Sequence, residues 1–389
     1  MNILRSLSLA GLLVVPCAFA QVDWTPEIYP DQQIFPSLVI GTAAVKPDNE
    51  LFAVCDGNHI GDKMGIVGAS VDGIAAGSKV TLEVRENDVM RASRIEGTAE
   101  ADGNVTIYPK ISWKYDKLAN VRQTVPIDVT MELKVDGESC GEKTVTATLR
   151  TVNDCLFGVT VPGDEEKYFD YSWLYAAYVN ENHPWVDQTL KEALDTDLVS
   201  AFDGYQSGDP EAVLLQVFSI WNVMHRKGLR YSDVGTTAAE SETVGSQYVR
   251  LFDESVKAAQ ANCVDGSVLL AAVLRKIGLK PHLVAVPGHM FLAFKLDDET
   301  MVGLETTMMG DTDVDEVDAK RLRSFLKFDP EEKRNEESWA TFLAALDAGT
   351  QALHKASEKF DKGPDYMLID VAKARNLGIL PISSSVDGR

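Results

Sequence analysis

Positive charge is scarce in this chain, which carries 37 Lys and Arg residues against 59 Asp and Glu residues and a formal net charge of −22. A surface of that sign repels phosphate backbones and anionic lipids, so we expect no nucleic-acid partner and no anionic membrane surface as partner. Beyond the N-terminus the sequence also lacks any run near the ~18 apolar residues of a membrane-spanning helix. We therefore predict no membrane span in the mature chain.

Metal-binding motifs are missing as well. No HExxH and no paired CxxC occurs, so zinc is not indicated. The acidic stretch 311–318 would need glycine at its sixth position and glutamate at its twelfth to form an EF-hand loop, but Glu316 and Leu322 stand there. We predict a solvated acidic loop, no metal site and no cofactor.

The first 20 residues have the pattern of a secretory signal peptide. Arg5 precedes an apolar stretch, and Ala18–Ala20 ends the segment with the small residues of a cleavage site. Cys17 would suit a lipid anchor, but Pro16 precedes it where a small residue is needed. We predict a signal peptide over 1–20 and a secreted or periplasmic protein.

Short alternating segments with turn residues between them fill 38–161. Ile127–Val135 alternates apolar and polar residues at every step, as a strand with one buried face does. Thr144–Leu149 repeats the pattern after Asp136 and Gly137, which predicts a hairpin. The pattern favours an all-β sandwich with immunoglobulin-like architecture over 21–162, and nothing in it indicates catalysis.

Helical signals begin after residue 162. Asp209 is typical of an N-cap, with proline at the next position, and Gly228 is typical of a helix end. We predict a helical linker or layer over 163–240, a second α+β domain over 241–382 and a disordered tail over 383–389. The predicted fold class is α+β.

The second domain contains a cysteine, a histidine and a carboxylate in chain order. Cys263 opens an apolar run that predicts a buried helix ending at Gly278. The N-terminus of a helix favours an anion, so a thiol there is shifted toward the nucleophilic thiolate. His289 stands at the start of the second of three predicted strands, and Glu305 ends the third. These strands are predicted over 281–286, 290–296 and 301–305.

From about Trp221 to Gly310 the sequence resembles the transglutaminase-like superfamily, whose papain-type core places cysteine at a helix start, histidine on one strand and Asp or Glu on the next. The resemblance implies that Cys263 is the nucleophile, His289 the general acid/base and Glu305 the group that orients the imidazole. Gln247 is the candidate for an additional oxyanion donor.

Further segments carry the resemblance, and some positions depart from it. Gln247–Arg250 is similar to the segment that precedes the cysteine in bacterial members, and Tyr366–Ile382 is similar to a tail that some of them carry. Ala261 stands where glycine is common, Glu305 where aspartate is commoner, and Thr306 where proline is usual. If position 261 needs a positive φ, alanine there is strained.

The spacing of His289 and Glu305 makes a geometric prediction. The two residues are 16 positions apart, and side chains alternate between the two faces of a strand. They share a face only if the connecting loop has an odd number of residues or a bulge shifts the register. We therefore predict an odd loop or a bulge.

Export makes a disulfide plausible among the four cysteines of the mature chain, Cys55, Cys140, Cys155 and Cys263. Cys140 and Cys155 flank a predicted strand that would separate them by roughly 30 Å, and a disulfide tolerates only about 7 Å between Cα atoms. We predict that these two do not pair and that Cys55 pairs with one of them.

We interpret the sequence as an exported cysteine hydrolase that acts on peptide or amide bonds through a Cys-His-Glu triad and a thioester acyl-enzyme. Its substrate would be a peptide or protein. The residues leave hydrolysis and acyl transfer to an amine open. The alternative is a catalytically inactive transglutaminase-like scaffold or binding protein of the cell envelope, in which the sandwich contacts a protein partner.

Overall fold

The structure is a computed structural model that describes residues 22–46, 57–161, 164–232, 241–311, 313–314, 317, 319–330, 336, 338–360 and 362–383. The predicted signal peptide and nearly all of the predicted tail lie outside these residues. The chain has a mixed α+β fold with several separate sheets. Within the described residues, no helix combines the length and the apolar character needed to cross a membrane.

The N-terminal half is built mainly of strands. Within the described residues its strands are β1 (Trp24–Ile28), β2 (Gln33–Ile34), β3 (His59–Gly61), β4 (Val67–Ile74), β5 (Lys79–Val84), β6 (Ser93–Thr98), β7 (Gly103–Tyr108), β8 (Val125–Val135) and β9 (Glu138–Leu149). Its helices are α1 (Pro36–Gly41) and α2 (Tyr115–Leu118).

Two sheets enclose one hydrophobic core in this half. Their strand orders are β1-β4-β7-β3 and β2-β9-β8-β5-β6. Alternate residues of each sheet point inward, so that Val71 and Ile107 of one sheet and Leu82 and Met131 of the other are fully buried in the same core. The predicted hairpin is present, since β8 pairs antiparallel with β9 and the turn residues Asp136 and Gly137 both have positive φ.

The C-terminal half is mixed. Its strands are β10 (Asp154–Val161), β11 (Asp164–Asp170), β12 (Arg230–Tyr231), β13 (Val244–Tyr248), β14 (Gln260–Ala261), β15 (Pro281–Val286), β16 (His289–Lys295), β17 (Met301–Leu304) and β18 (Met367–Asp370). Its helices are α3 (Pro184–Leu194), α4 (Pro210–Arg226), α5 (Phe252–Ala258), α6 (Cys263–Lys276), α7 (Ala319–Leu322), α8 (Ser338–Ser357) and α9 (Val371–Leu377), with 3₁₀ helices over Ser172–Tyr178 and Thr306–Met308.

Four of these strands form the sheet that carries the candidate site, in the order β17-β16-β15-β18. Leu283 and Leu292 face each other across β15 and β16 and are buried in the core that α6 also enters. Their neighbours Val284 and Phe291 lie on the opposite face, in a smaller cluster with Leu353 of α8. The sheet is thus covered by helices on both faces.

The hydrophobic cores divide the chain earlier than the predicted boundary at residue 162. The sandwich core ends at Leu149, whereas Val152 and Cys155 already belong to the C-terminal core. β10 belongs to the second half because its partners are β11 and β13. The prediction of 21–162 for the sandwich was therefore too long at its C-terminal end.

The predicted helical layer over 163–240 needs two corrections. Residues 164–170 form strand β11, because this segment pairs with the edge of β10. The layer is also not a separate unit, since Phe218 and Trp221 of α4 are buried in the same core as Leu270 of α6. The prediction for α4 itself is confirmed: the Asp209 side chain accepts a hydrogen bond from the Glu211 N–H at 2.9 Å.

The cysteines remain free thiols in the described part of the chain. Cys140, Cys155 and Cys263 are all unbonded, which confirms that Cys140 and Cys155 do not pair. Because both are free, the disulfide that we predicted between Cys55 and one of them is not formed. Cys55 itself lies outside the described residues.

Candidate active site at the start of helix α6

Cys263 is the first residue of α6, and its position is fixed by a capping box. The Asn262 side chain accepts a hydrogen bond from the Asp265 N–H at 2.8 Å, and the Asp265 carboxylate accepts one from the Asn262 N–H at 3.1 Å. The first N–H groups of a helix have no partner within the helix and attract an anion. The partly exposed Cys263 thiol therefore lies where a thiolate is stabilised.

A buried ion pair supports this helix start. Asp265 is fully buried and accepts hydrogen bonds from the backbone N–H of Arg250 at 2.9 Å and from its Nη1 at 2.7 Å. Burial raises the pKa of Asp265 above its ordinary 3.8, although the hydrogen bonds from Asn262 and Arg250 act in the opposite direction. The guanidinium of Arg250 thus balances the charge that Asp265 would otherwise place near the thiol.

His289 and Glu305 lie on the same side of their strands. Lys295 pairs with Met301, so residues 296–300 connect β16 to β17 and the loop is odd, as predicted. Continuing this register by one pair places Glu305 opposite Phe291, two residues after His289. The Glu305 Oε2 is 2.7 Å from the His289 Nε2.

The second carboxylate oxygen of Glu305 is held by Thr307. Oε1 accepts hydrogen bonds from the Thr307 N–H at 3.0 Å and from its Oγ1 hydroxyl at 2.7 Å. Burial alone would raise the pKa of Glu305, but the hydrogen bonds from His289 and Thr307 keep it below its ordinary 4.5. No role was predicted for Thr307 from the sequence. The available signal was an acceptor side chain two residues before it, a spacing that forms local turns.

The imidazole of His289 is strongly biased toward its charged form. The Cys263 side chain and the Glu305 carboxylate raise the pKa of His289 from 6.5 to about 10, against the opposing effect of burial. Because Nε2 faces Glu305, Nδ1 is the nitrogen left for the sulfur. The carboxylate is hydrogen-bonded to the imidazole, and the imidazole and the thiol line one cleft.

These residues lie beside an open cleft with a volume of about 370 Å³. Cys263 and His289 line it together with Gln247, the aromatic side chains of Phe157 and Tyr175, and the loop Pro364–Asp365. The Gln247 Nε2 donates a hydrogen bond to the Tyr248 carbonyl at 3.1 Å. The candidate oxyanion donor therefore lies on the wall of the same cleft as the thiol.

Comparison with known proteins adds no information on this site. No family model and no curated protein matches this chain. Within the described residues, no three His, Cys, Asp or Glu side chains converge as metal ligands do. The chemistry that the site can perform follows from its thiol, imidazole and carboxylate.

The positions that depart from the transglutaminase-like pattern are accommodated locally. Ala261 lies in β14, where it pairs with Tyr231, and the positive φ of 51° in this region belongs to Ala259. Thr306 begins a 3₁₀ helix, and its hydroxyl is 3.2 Å from Ser267 Oγ, which itself donates to the Cys263 carbonyl at 2.7 Å. Thr306 thus links the segment that follows β17 to the helix that begins at Cys263.

Proposed function

We propose that this chain is an exported, transglutaminase-like cysteine hydrolase that acts on the peptide or amide bonds of a polypeptide. The observation that carries the proposal is the 2.7 Å pair of His289 and Glu305 beside Cys263, with the thiol and the imidazole on the wall of one open cleft. A nucleophile, a base within hydrogen-bond reach and a third group that orients the base are the parts that nucleophilic catalysis requires.

The proposed reaction begins with transfer of the Cys263 proton to His289. Glu305 accepts a hydrogen bond from the ring and stabilises the imidazolium, and Thr307 holds the carboxylate in place. The thiolate attacks the carbonyl carbon of the amide, and the electron pair of the C=O bond moves to oxygen. When the tetrahedral intermediate collapses, His289 protonates the leaving amine and a thioester remains.

The negatively charged oxygen of the tetrahedral intermediate is stabilised by hydrogen-bond donors that point at it. The backbone N–H of Cys263 lies at the start of α6, where the helix leaves it without an internal partner, and Gln247 lines the same cleft. The thioester is then resolved by water, which releases an acid, or by an amine, which forms a new amide. Both routes regenerate the thiol.

At the level of architecture, we propose that the N-terminal sandwich is immunoglobulin-like and that the C-terminal half has a papain-like, transglutaminase-type core. The second proposal is supported by a nucleophile at a helix start and an antiparallel sheet that carries His289 and Glu305 on adjacent strands. Export to the periplasm or medium remains a prediction from the N-terminal 20 residues.

The alternative function is an inactive scaffold or binding protein, and it would be supported by a different arrangement of the site. It would be favoured by a disulfide-bonded or fully buried Cys263, or by a His289 beyond hydrogen-bond reach of the thiol. Cys263 is instead free and partly exposed, and its side chain is among the groups that raise the pKa of His289. These observations favour the enzyme.

The proposal is tested by incubating the mature protein with a tryptic digest of a bacterial cell-envelope fraction in ¹⁸O-labelled water, with and without added cadaverine. Hydrolysis incorporates ¹⁸O into a new acid, and acyl transfer incorporates cadaverine. We expect mass spectrometry to find one of these products in the wild-type sample.

The matched controls are Cys263→Ala and Cys140→Ala, which remove the candidate nucleophile and a partly exposed thiol of the sandwich. Loss of the product in Cys263→Ala alone supports the proposal. Products that persist in Cys263→Ala, or no product from any sample, would favour the scaffold function.

A further inference from the structure

A second, larger cavity adjoins the catalytic cleft. Its volume is about 510 Å³, and it shares Pro364 and Met367 with the cleft. The two cavities are therefore neighbouring parts of one groove, divided by the loop that precedes β18. This volume lies within the range of about 300–1,000 Å³ that is typical of ligand-binding cavities.

The second cavity opens on the edge of a sheet. The four consecutive residues of β18 line it, namely Met367, Leu368, Ile369 and Asp370. Consecutive residues point to opposite faces of a strand, so a cavity that touches all four lies along the strand's edge. β18 is the last strand of its sheet and pairs with β15. An edge strand presents backbone N–H and C=O groups that can pair with an added chain.

Aromatic side chains also line this cavity. They are Tyr168 of β11, Trp173 of the following 3₁₀ helix, Phe360 and Tyr366. On the edge itself the Leu368 side chain is 38% exposed, although it is a large apolar residue. Aromatic walls of this kind bind a bulky apolar side chain through burial and ring contacts.

The charges around the groove disfavour an acidic ligand. Among the described residues, Asp170 and Asp370 line the second cavity together with one cation, Lys373, and Asp365 lines the cleft. Their carboxylates repel an acidic side chain that approaches the groove. The lining is therefore complementary to an apolar segment without acidic residues.

We propose that the groove beside β18 binds an extended segment of the polypeptide substrate, which adds to the edge of β18 as a strand and places a bulky apolar side chain against Tyr168 and Trp173. Strand addition with side-chain pockets is a general mode of peptide recognition. This inference rests on the proposed function, because the reacting amide of the same polypeptide lies at Cys263. The four residues of β18 span about 13 Å, so the segment recognised is about four residues long.

The test measures binding without catalysis, by fluorescence anisotropy with the full mature chain carrying Cys263→Ala. The probes are fluorescein-labelled peptides of about eight residues, built from alanine around one glutamine. A single Phe or a single Glu is moved through every other position. We expect the best Phe peptide to bind about tenfold more tightly than the matching Glu peptide.

Two perturbations test the location and the binding mode. Leu368→Asp introduces a charge at the edge of β18. Leu380→Asp introduces a charge at a similarly exposed leucine after α9, where 40% of the residue is accessible. We expect Leu368→Asp to abolish the preference for Phe and Leu380→Asp to leave it unchanged. N-methylation of the best peptide at alternate backbone positions removes strand hydrogen bonds and should weaken binding about fivefold.

Equal binding of Phe and Glu peptides, equal effects of the two leucine variants, or indifference to N-methylation would each overturn the inference. Its failure is distinct from failure of the proposed function. Peptide binding is measured in a protein that lacks the cysteine, whereas the proposed function depends on the reactivity of Cys263.

Discussion

The protonation of His289 is the property on which the site depends at the scale of single residues. The Cys263 side chain and the Glu305 carboxylate raise its pKa from 6.5 to about 10. Because the pKa is raised on folding, the stabilisation by the charged ring is fully present below the unfolded value of 6.5 and is lost as the pH rises through about 10. Across the neutral range the ring should therefore carry its proton in the folded protein.

Glu305→Gln tests the contribution of the carboxylate to this protonation. The amide keeps the shape of the side chain but removes its negative charge, so the pKa of His289 should fall from about 10 toward 6.5. The measurement is a titration of the imidazole ¹⁵N chemical shifts by NMR. An unchanged midpoint would mean that Glu305 does not act on the ring.

Thr307→Val tests whether Thr307 holds that carboxylate in place. It removes the hydroxyl that donates to Glu305 Oε1, while the backbone N–H bond remains. We expect the NMR midpoint of His289 to fall in the same direction as in Glu305→Gln but by less. The matched control is Thr130→Val, which removes the hydroxyl that pairs with Thr144 on the exposed face of the sandwich. This variant should leave the midpoint of His289 unchanged.

At the scale of elements, the buried pair of Arg250 and Asp265 connects the segment after β13 to the start of α6. Arg250→Met would leave the fully buried Asp265 carboxylate without its counter-charge. Removing one partner of such a pair costs about 3–5 kcal/mol of unfolding free energy. Urea denaturation of the wild type and of Arg250→Met measures this difference in unfolding free energy.

The matched control for Arg250→Met is Arg94→Met, which breaks exposed ion pairs of the sandwich. Exposed pairs contribute about 0–1 kcal/mol, so this variant should denature close to the wild type. A similar small loss of unfolding free energy in both variants would show that the pair of Arg250 and Asp265 does not stabilise the start of α6.

The elements of the site were largely predictable from sequence because local signals agreed with one another. The long apolar run that Cys263 opens and the terminal glycine gave α6, and the spacing of His289 and Glu305 gave the parity of the hairpin loop. Thr307 was not recognised, because its contact with the carboxylate depends on its rotamer and not on its residue type. β11 was also missed, since its charged segment becomes a strand only where another strand pairs with it.

At the scale of the whole molecule, the two halves are joined by more than their connecting segment. Phe35 and Leu38, at the start of the chain, are buried in the C-terminal core. Ser37 Oγ donates a hydrogen bond to the carbonyl of Asp154 in β10 at 2.6 Å, and the Leu380 N–H donates to Gly41. Sequence patterns could not show this arrangement, because it depends on contacts between residues more than a hundred positions apart.

Phe35→Ala tests this connection. Truncating a fully buried phenylalanine costs about 3–5 kcal/mol of unfolding free energy. This loss should destabilise the C-terminal half, although Phe35 lies between the sandwich strands β2 and β3. Pulse alkylation of Cys155, which is fully buried in that half, should occur at lower urea than in the wild type. Tyr115→Ala, at an exposed aromatic residue of the sandwich, is the control and should leave the Cys155 transition unchanged.

The most direct test of the proposed cysteine chemistry is the pH dependence of iodoacetamide labelling at Cys263, followed by peptide mass spectrometry in the wild type and in His289→Ala. Cys140 is an internal reference, because burial raises the pKa of this partly exposed thiol above its ordinary 9.0. We predict fast labelling of Cys263 well below about pH 8, where an ordinary thiol is protonated, and loss of this labelling in His289→Ala. Labelling that is absent, or slow and indifferent to His289, would contradict the thiolate–imidazolium pair and favour a scaffold.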